Sequence, residues 1–188
     1  MKPSYLFLAP GFEEIEALAT VDVIRRAGMP VVTVAVNETD IVAGAHNIPV
    51  EADTNIDSLS LDEMLDAQWV ILPGGLPGAD NLFASAKLCE ALKARHAAGL
   101  SIAAICASPG VVLAPLGIVR DKKATAYPGF EELLEKGGAT PTGLRVTIDG
   151  NITTGNGPSS AVPFALAIVE QTLGKDVAAQ VAKGMLCD

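Results

Sequence analysis

Cys106 closes the apolar run Ser101-Ile102-Ala103-Ala104-Ile105 and immediately precedes a segment of helical character, which puts its sulfur on a tight strand-to-helix turn. A turn of this kind exposes a nucleophile, and the partial positive charge at a helix N-terminus stabilises a thiolate. The small neighbours Ala104, Ala107 and Ser108 let the turn close without clashes. The flanking glycines of G-x-S-x-G are absent, and free cysteine is among the most buried residue types. Taken alone, the motif therefore reads more simply as an inert core thiol.

Two other segments supply possible company for that sulfur. Glu13, Glu14 and Glu16 open a helix after Gly11-Phe12, and acidic residues in a first turn complement the helix dipole, which accounts for Glu13 and Glu14. At about 100° per residue, Glu14 and Glu16 point to nearly opposite sides, so at most one of them faces a shared site. A carboxyl enclosed beside a thiol has its pKa raised and can stay protonated, donating a hydrogen bond to sulfur. By residue type alone, a solvated Glu16 is the simpler reading. The pair Gly74-Gly75 suits either a tight turn or an oxyanion hole in which the N–H groups of Gly75 and Ala107 hold a carbonyl oxygen attacked by Cys106. It is neither G-x-G-x-x-G nor a P-loop, which disfavours nucleotide and kinase chemistry.

The elements that must position these residues are short apolar runs rich in β-branched residues, alternating with longer helical segments. That is the pattern of an α/β protein with a mainly parallel sheet covered on both faces. Strands are expected at residues 5–8, 31–36, 69–72, 101–105 and 152–154, and helices at 14–27, 79–97, 108–116, 129–135 and 159–173. Gly28, Gly99 and Gly174 act as C-terminal stops. Residues 37–55, and residues 145–148 followed by Asp149-Gly150, read as antiparallel hairpins. Ligands of such sheets gather at the carboxyl ends of the strands, where all three candidate segments lie.

With 188 residues, 49% apolar and 19% charged, the chain is expected to form one folded domain over 1–188. A net charge of −9, with only Arg25-Arg26 and Lys122-Lys123 as basic pairs, argues against nucleic acid. Residues 97–119 carry no charge and are long enough to span a bilayer. Gly99, Ser108-Pro109-Gly110 and Pro115-Leu116-Gly117 would break such a helix, so this stretch reads as a buried strand, a turn and a short helix, with no membrane role. The N-terminal apolar run meets Glu13 and Glu14 before a secretory core can form. Three cysteines, Cys89, Cys106 and Cys187, form neither C-x-x-C nor a disulfide framework, which suits a cytoplasmic location.

Five segments in order carry a resemblance that covers nearly the whole chain. They are Gly11-Phe12-Glu13-Glu14-Ile15-Glu16, Asp22-Val23-Ile24-Arg25-Arg26-Ala27-Gly28, Leu72-Pro73-Gly74-Gly75, Ala103-Ala104-Ile105-Cys106-Ala107 and Phe164-Ala165-Leu166-Ala167-Ile168-Val169-Glu170. They resemble the ThiJ/PfpI superfamily, and most of all its parkinsonism-associated deglycase, or glyoxalase III-like, branch. The resemblance implies a flavodoxin-like three-layer α/β/α sandwich, a homodimer, and action on small reactive carbonyls such as methylglyoxal without metal or organic cofactor. It implies Cys106 as elbow nucleophile, Glu16 as its protonated partner, Gly75 and Ala107 as backbone donors, and Gly74 and Tyr127 as pocket wall.

One departure matters. Many members of that branch carry T-x-H-P beside the nucleophile, whereas this chain reads Thr125-Ala126-Tyr127-Pro128. A phenol of reference pKa ~10 is a poor general base at neutral pH. Only His46 and His96 exist, both upstream of Cys106 and both expected at the surface. Two readings therefore stay open: a carbonyl-processing enzyme, and a redox sensor or chaperone-like protein whose Cys106 meets an oxidant without turnover. A cysteine peptidase or amidase is a third, but the histidine those relatives place after the cysteine is missing.

Overall fold

The computed structural model describes residues 1–187. Ser4–Leu8 (β1), Glu14–Arg26 (α1) and Val31–Ala35 (β2) form the first β-α-β unit. Ile41–Ala43 (β3) and Pro49–Glu51 (β4) pair as a hairpin, followed by Thr54–Asn55 (β5), Leu61–Asp66 (α2) and Val70–Leu72 (β6). Gly78–Ala84 (α3) and Ala86–Ala97 (α4) lead to Ile102–Ile105 (β7), and a π-helical turn spans Pro109–Leu113. Then come Lys123–Ala124 (β8), Glu131–Lys136 (α5), Thr140–Pro141 (β9), Val146–Asp149 (β10) and Ile152–Gly155 (β11). Ala161–Leu173 (α6) and Lys175–Gly184 (α7) follow.

Seven strands make the central sheet in the order β10-β11-β7-β6-β1-β2-β5. All neighbours run parallel except β10 and β11, the second expected hairpin. Alternation along each strand feeds two cores. Leu6, Leu8, Ile71, Ala103 and Ile105 join Val21, Ile24, Phe164 and Ile168 of α1 and α6 on one face. Phe7, Val70, Leu72 and Ala104 join Leu88, Leu92, Val112 and Leu134 on the other. Strands buried on both faces explain why β1, β6 and β7 read as continuous apolar runs, and the result is a three-layer α/β/α sandwich.

Several boundaries differ from the sequence expectation. The helix expected over 79–97 is two helices, broken at Ser85, whose side chain accepts the Leu88 N–H at 3.4 Å and caps α4. The helix expected over 108–116 is the five-residue π-turn. α2 was not anticipated, although Ser60 and Glu63 form a capping box at its start. α7 and the two-residue strands β5, β8 and β9 were also missed.

β1 connects through α1 to β2, whereas β6 connects through α3 and α4 to β7, on the opposite side of the sheet order. The connections diverge at the carboxyl ends of β1 and β6, and the crevice opened there is where open α/β sheets bind ligands.

Candidate active site

The loops after β1 and β6 meet backbone to backbone. Glu13 N donates to Gly74 O at 2.9 Å, and Gly78 N donates to Gly11 O at 3.2 Å. Gly75 has φ +88°, and a Cβ there would overlap Gly11 O and Glu13 N. Only glycine satisfies both conditions, so the pair is a turn residue and a close-approach residue at once.

α1 starts with Glu13 as N-cap, its carboxylate accepting the Glu16 N–H at 2.7 Å. Helical geometry then separates the next two carboxylates. Glu14 turns to the β3–β4 hairpin and accepts from His46 N at 2.7 Å, with the His46 ring Nδ1 also 2.7 Å away. The dipole alone therefore does not explain Glu14, which is a buried anchor for the hairpin. Glu16 turns into the crevice, where its Oε2 accepts the Gly74 N–H at 2.8 Å. The solvated reading of Glu16 is overturned: its side chain is fully buried.

Cys106 sits opposite, at φ +64°, a left-handed conformation that costs a non-glycine residue of order 1–3 kcal/mol and persists only where surroundings impose it. Its N–H donates to Gly155 O at 2.9 Å, and its carbonyl accepts from Tyr127 N at 2.8 Å. Ser108 Oγ donates to Pro73 O at 2.5 Å, tying the elbow to the glycine loop. A Cβ on Gly74 would overlap both Cys106 Cβ and Glu16 Oε2, so the missing side chain makes room for the thiol and carboxyl together.

Burial pushes the Glu16 carboxyl up to about 7, against the opposing pull of the Gly74 N–H. Burial first, and the Glu16 charge second, push the Cys106 thiol up to about 12, while the N–H groups of Gly75 and Ala107 act the other way. The expected depression by a helix N-terminus is not found. The π-turn begins only at Pro109, and burial beside the Glu16 carboxyl raises the thiol. At neutral pH the carboxyl, rather than the thiol, is the group that titrates.

The structure thus brings Glu16, Gly74, Gly75, Cys106 and Ala107 to one point. Tyr127 holds that point through its backbone, while its partly exposed ring lies against Gly157 and edge-on to Phe130. His46 is exposed and held by Glu14. His96 departs from the surface expectation: it is half-buried in α4, with a buried Nδ1 that has no partner. Neither histidine contributes to the thiol's environment. The ligand atoms of Glu13, Glu14 and His46 come within 4.8 Å of one another. Glu13 Oε2 already caps α1 and both Glu14 oxygens already hold His46, so this cluster is read as a structural knot.

A model of the DJ-1/PfpI family matches residues 3–171. The chain belongs to the DJ-1/PfpI family. Protein dj-1beta of Drosophila melanogaster is 36% identical over 185 residues, covering 98% of this chain and 97% of the relative. The glutathione-independent glyoxalase DJR-1.2 of Caenorhabditis elegans is 33% identical over 178 residues, 93% of this chain and 91% of the relative. A solved structure of oxidized DJ-1 from Toxoplasma gondii superposes with a TM-score of 0.92 at 37% identity, covering 99% of this chain and 98% of that one. The flavodoxin-like sandwich is thus shared with DJ-1 structures.

Three contributors to this DJ-1/PfpI site, Ser108, Gly155 and Gly157, are not legible in the sequence. By type Ser108 is a small neighbour that lets the elbow close, but a hydroxyl in so apolar a run also needs a buried acceptor, which Pro73 O supplies. Gly155, the last residue of β11, accepts the Cys106 N–H, and Gly157, two residues on, faces the Tyr127 ring; only their glycine spacing at the strand end signals them. Among the described residues, no helix is long and apolar enough to cross a membrane.

Proposed function

We propose that this DJ-1/PfpI protein is a cofactor-independent cysteine enzyme acting on small reactive carbonyls, of the glyoxalase or deglycase type. The observation that carries the reading is the convergence of a titratable buried carboxyl, a strained thiol and the N–H groups of Gly75 and Ala107 in one crevice. Cys106 adds to the aldehyde carbon of methylglyoxal: the S–C bond forms, the S–H bond breaks, and Glu16 takes the proton and passes it to the carbonyl oxygen, leaving a hemithioacetal. Glu16 Oε1, buried without a hydrogen-bond partner of ordinary geometry, is the oxygen available for that proton. Gly75 and Ala107 hold the oxygen as charge develops, each donor being worth ~3 kcal/mol. The C1 proton and the C1 hydroxyl proton are relocated to C2 and its oxygen, turning the hemithioacetal into a lactoyl thioester; water then adds to its carbonyl, the C–S bond breaks, and lactate leaves as sulfur regains its proton. The glyoxalase name of the nematode relative agrees with this chemistry. The family resemblance further implies a homodimer, and three free cysteines suit a cytoplasmic location.

A second reading is favoured by Tyr127, a weak base at the place of the imidazole in T-x-H-P. Here Cys106 senses peroxide, two equivalents delivering two oxygens to sulfur and leaving as two waters, with Glu16 hydrogen-bonding the sulfinate. One experiment separates the two: lactate formation from methylglyoxal by wild type, Cys106→Ala and Tyr127→His. The enzyme reading expects turnover that is weak in wild type, absent in Cys106→Ala and raised in Tyr127→His. A positioned imidazole contributes roughly 10²–10⁴-fold, of which an unoptimised replacement recovers part. Lactate output equal in all three proteins overturns it. Sulfinate on Cys106 with no lactate from any of them supports the sensor.

A further inference from the structure

A second hollow, of about 470 Å³, lies between α3, the π-turn and α5. Its lining contains none of Glu16, Gly74, Gly75 or Cys106. Its walls are apolar: Phe83 from α3, Val111 from the π-turn and Leu133 from α5. Phe83 and Leu133 remain 41% and 36% exposed, leaving apolar area uncovered that burial would reward at roughly 25 cal/mol per Å². The floor is preformed, because α5 presses so closely on the segment after the π-turn that a Cβ on Gly137 would lie 2.7 Å from Ala114 Cβ. π-Helical turns are rare and recur at functional sites.

The lining also holds two cations, Arg120 and Lys136, against one acid, Asp80. Among the described residues Arg120 enters no ion pair, and Lys136 reaches only Glu132, at 3.7 Å across a largely exposed pair of little strength. In a chain of net charge −9, an Arg120 outside any ion pair and a Lys136 held only weakly, both beside a concave apolar wall, favour an anion there. We propose that this hollow binds a small amphipathic carboxylate, an acyl or aryl acid. Its hydrocarbon part lies against Phe83, Val111 and Leu133, and its carboxylate sits between Arg120 and Lys136. Asp80 disfavours a doubly charged phosphate, while a guanidinium matches the fork of one carboxylate. The volume lies within the range of small-molecule sites.

The probe is octanoate, titrated calorimetrically into the intact protein at low ionic strength, with octanol as its uncharged counterpart. Octanoate is expected to bind at least tenfold more tightly than octanol. The double variant Arg120→Gln/Lys136→Gln should lower octanoate affinity at least tenfold and leave octanol unchanged. Both cations are exposed, so the variant keeps its fold, checked by near-UV circular dichroism. Leu133→Asp should weaken both probes. Absence of octanoate binding at millimolar concentration, equal affinity for octanoate and octanol, or an unchanged affinity in the double variant would each overturn the proposal.

Discussion

Glu16 gives up all contact with water to stand beside Cys106, and the cost of that position depends on pH. Its folded pKa, about 7, lies above the ordinary 4.5, so the folded chain binds this proton more tightly than the unfolded one. Stability is therefore undiminished below pH 4.5 and is lost as pH rises through 7, by ~3 kcal/mol once the carboxyl is fully ionised. Glu16→Gln keeps an acceptor for the Gly74 N–H and removes the titration. Urea unfolding should find the variant equal to wild type at pH 4 and more stable by up to ~3 kcal/mol at pH 8. A variant less stable than wild type at pH 8 would mean that attractions to the carboxylate outweigh its desolvation. The expected result is a residue that costs stability where its chemistry needs it.

The elements behind the site have their own anchor. Arg95 of α4 is fully buried and donates to Met64 O at 2.7 Å, Ala67 O at 3.1 Å and Ser101 O at 2.8 Å, so one guanidinium satisfies carbonyls at the end of α2 and before β7. Burial lowers its pKa only to about 10, so it stays charged at neutral pH. Six residues of α2 could not hold a helix alone. Arg95→Lys loses the planar fork and leaves carbonyls unpaired, at ~1–3 kcal/mol for such a group. Hydrogen exchange should rise first in α2. Uniform acceleration across the chain would instead assign Arg95 to the global core. At this scale much was legible in the sequence: continuous apolar runs marked β1, β6 and β7, which are buried on both faces, and Asp149-Gly150 marked the β10–β11 turn. The break at Ser85 was hidden because the polar cap falls inside an otherwise helical stretch. The burial of Glu16 and the raised thiol were hidden for a different reason. They follow from Gly11 and Gly75 touching across distant segments, and local spacing does not carry that contact.

Across the whole molecule, Ile15 and Leu18 of α1 stay 59% and 41% exposed, and Ile41 and Ile48 of the hairpin region are exposed as well. Glu14 ties the hairpin region to α1 through His46 N and Ile48 N. If these exposed apolar side chains meet a partner, the partner expected is a second copy. Sedimentation equilibrium should give the mass of two chains for wild type and of one for Ile15→Glu/Leu18→Glu. A wild-type monomer would remove the expectation. The convergence at Cys106 also bears on the chain's synthesis. Glu16 and Gly74 are made before Cys106, but Gly155, which fixes the elbow's N–H, is made well after it. Until that later stretch has left the ribosome, the elbow cannot close, and the sulfur keeps the reference thiol pKa of ~8.5. The conformation that sets Cys106 apart from the other two thiols is thus reached only late in synthesis, once Gly155 has joined it.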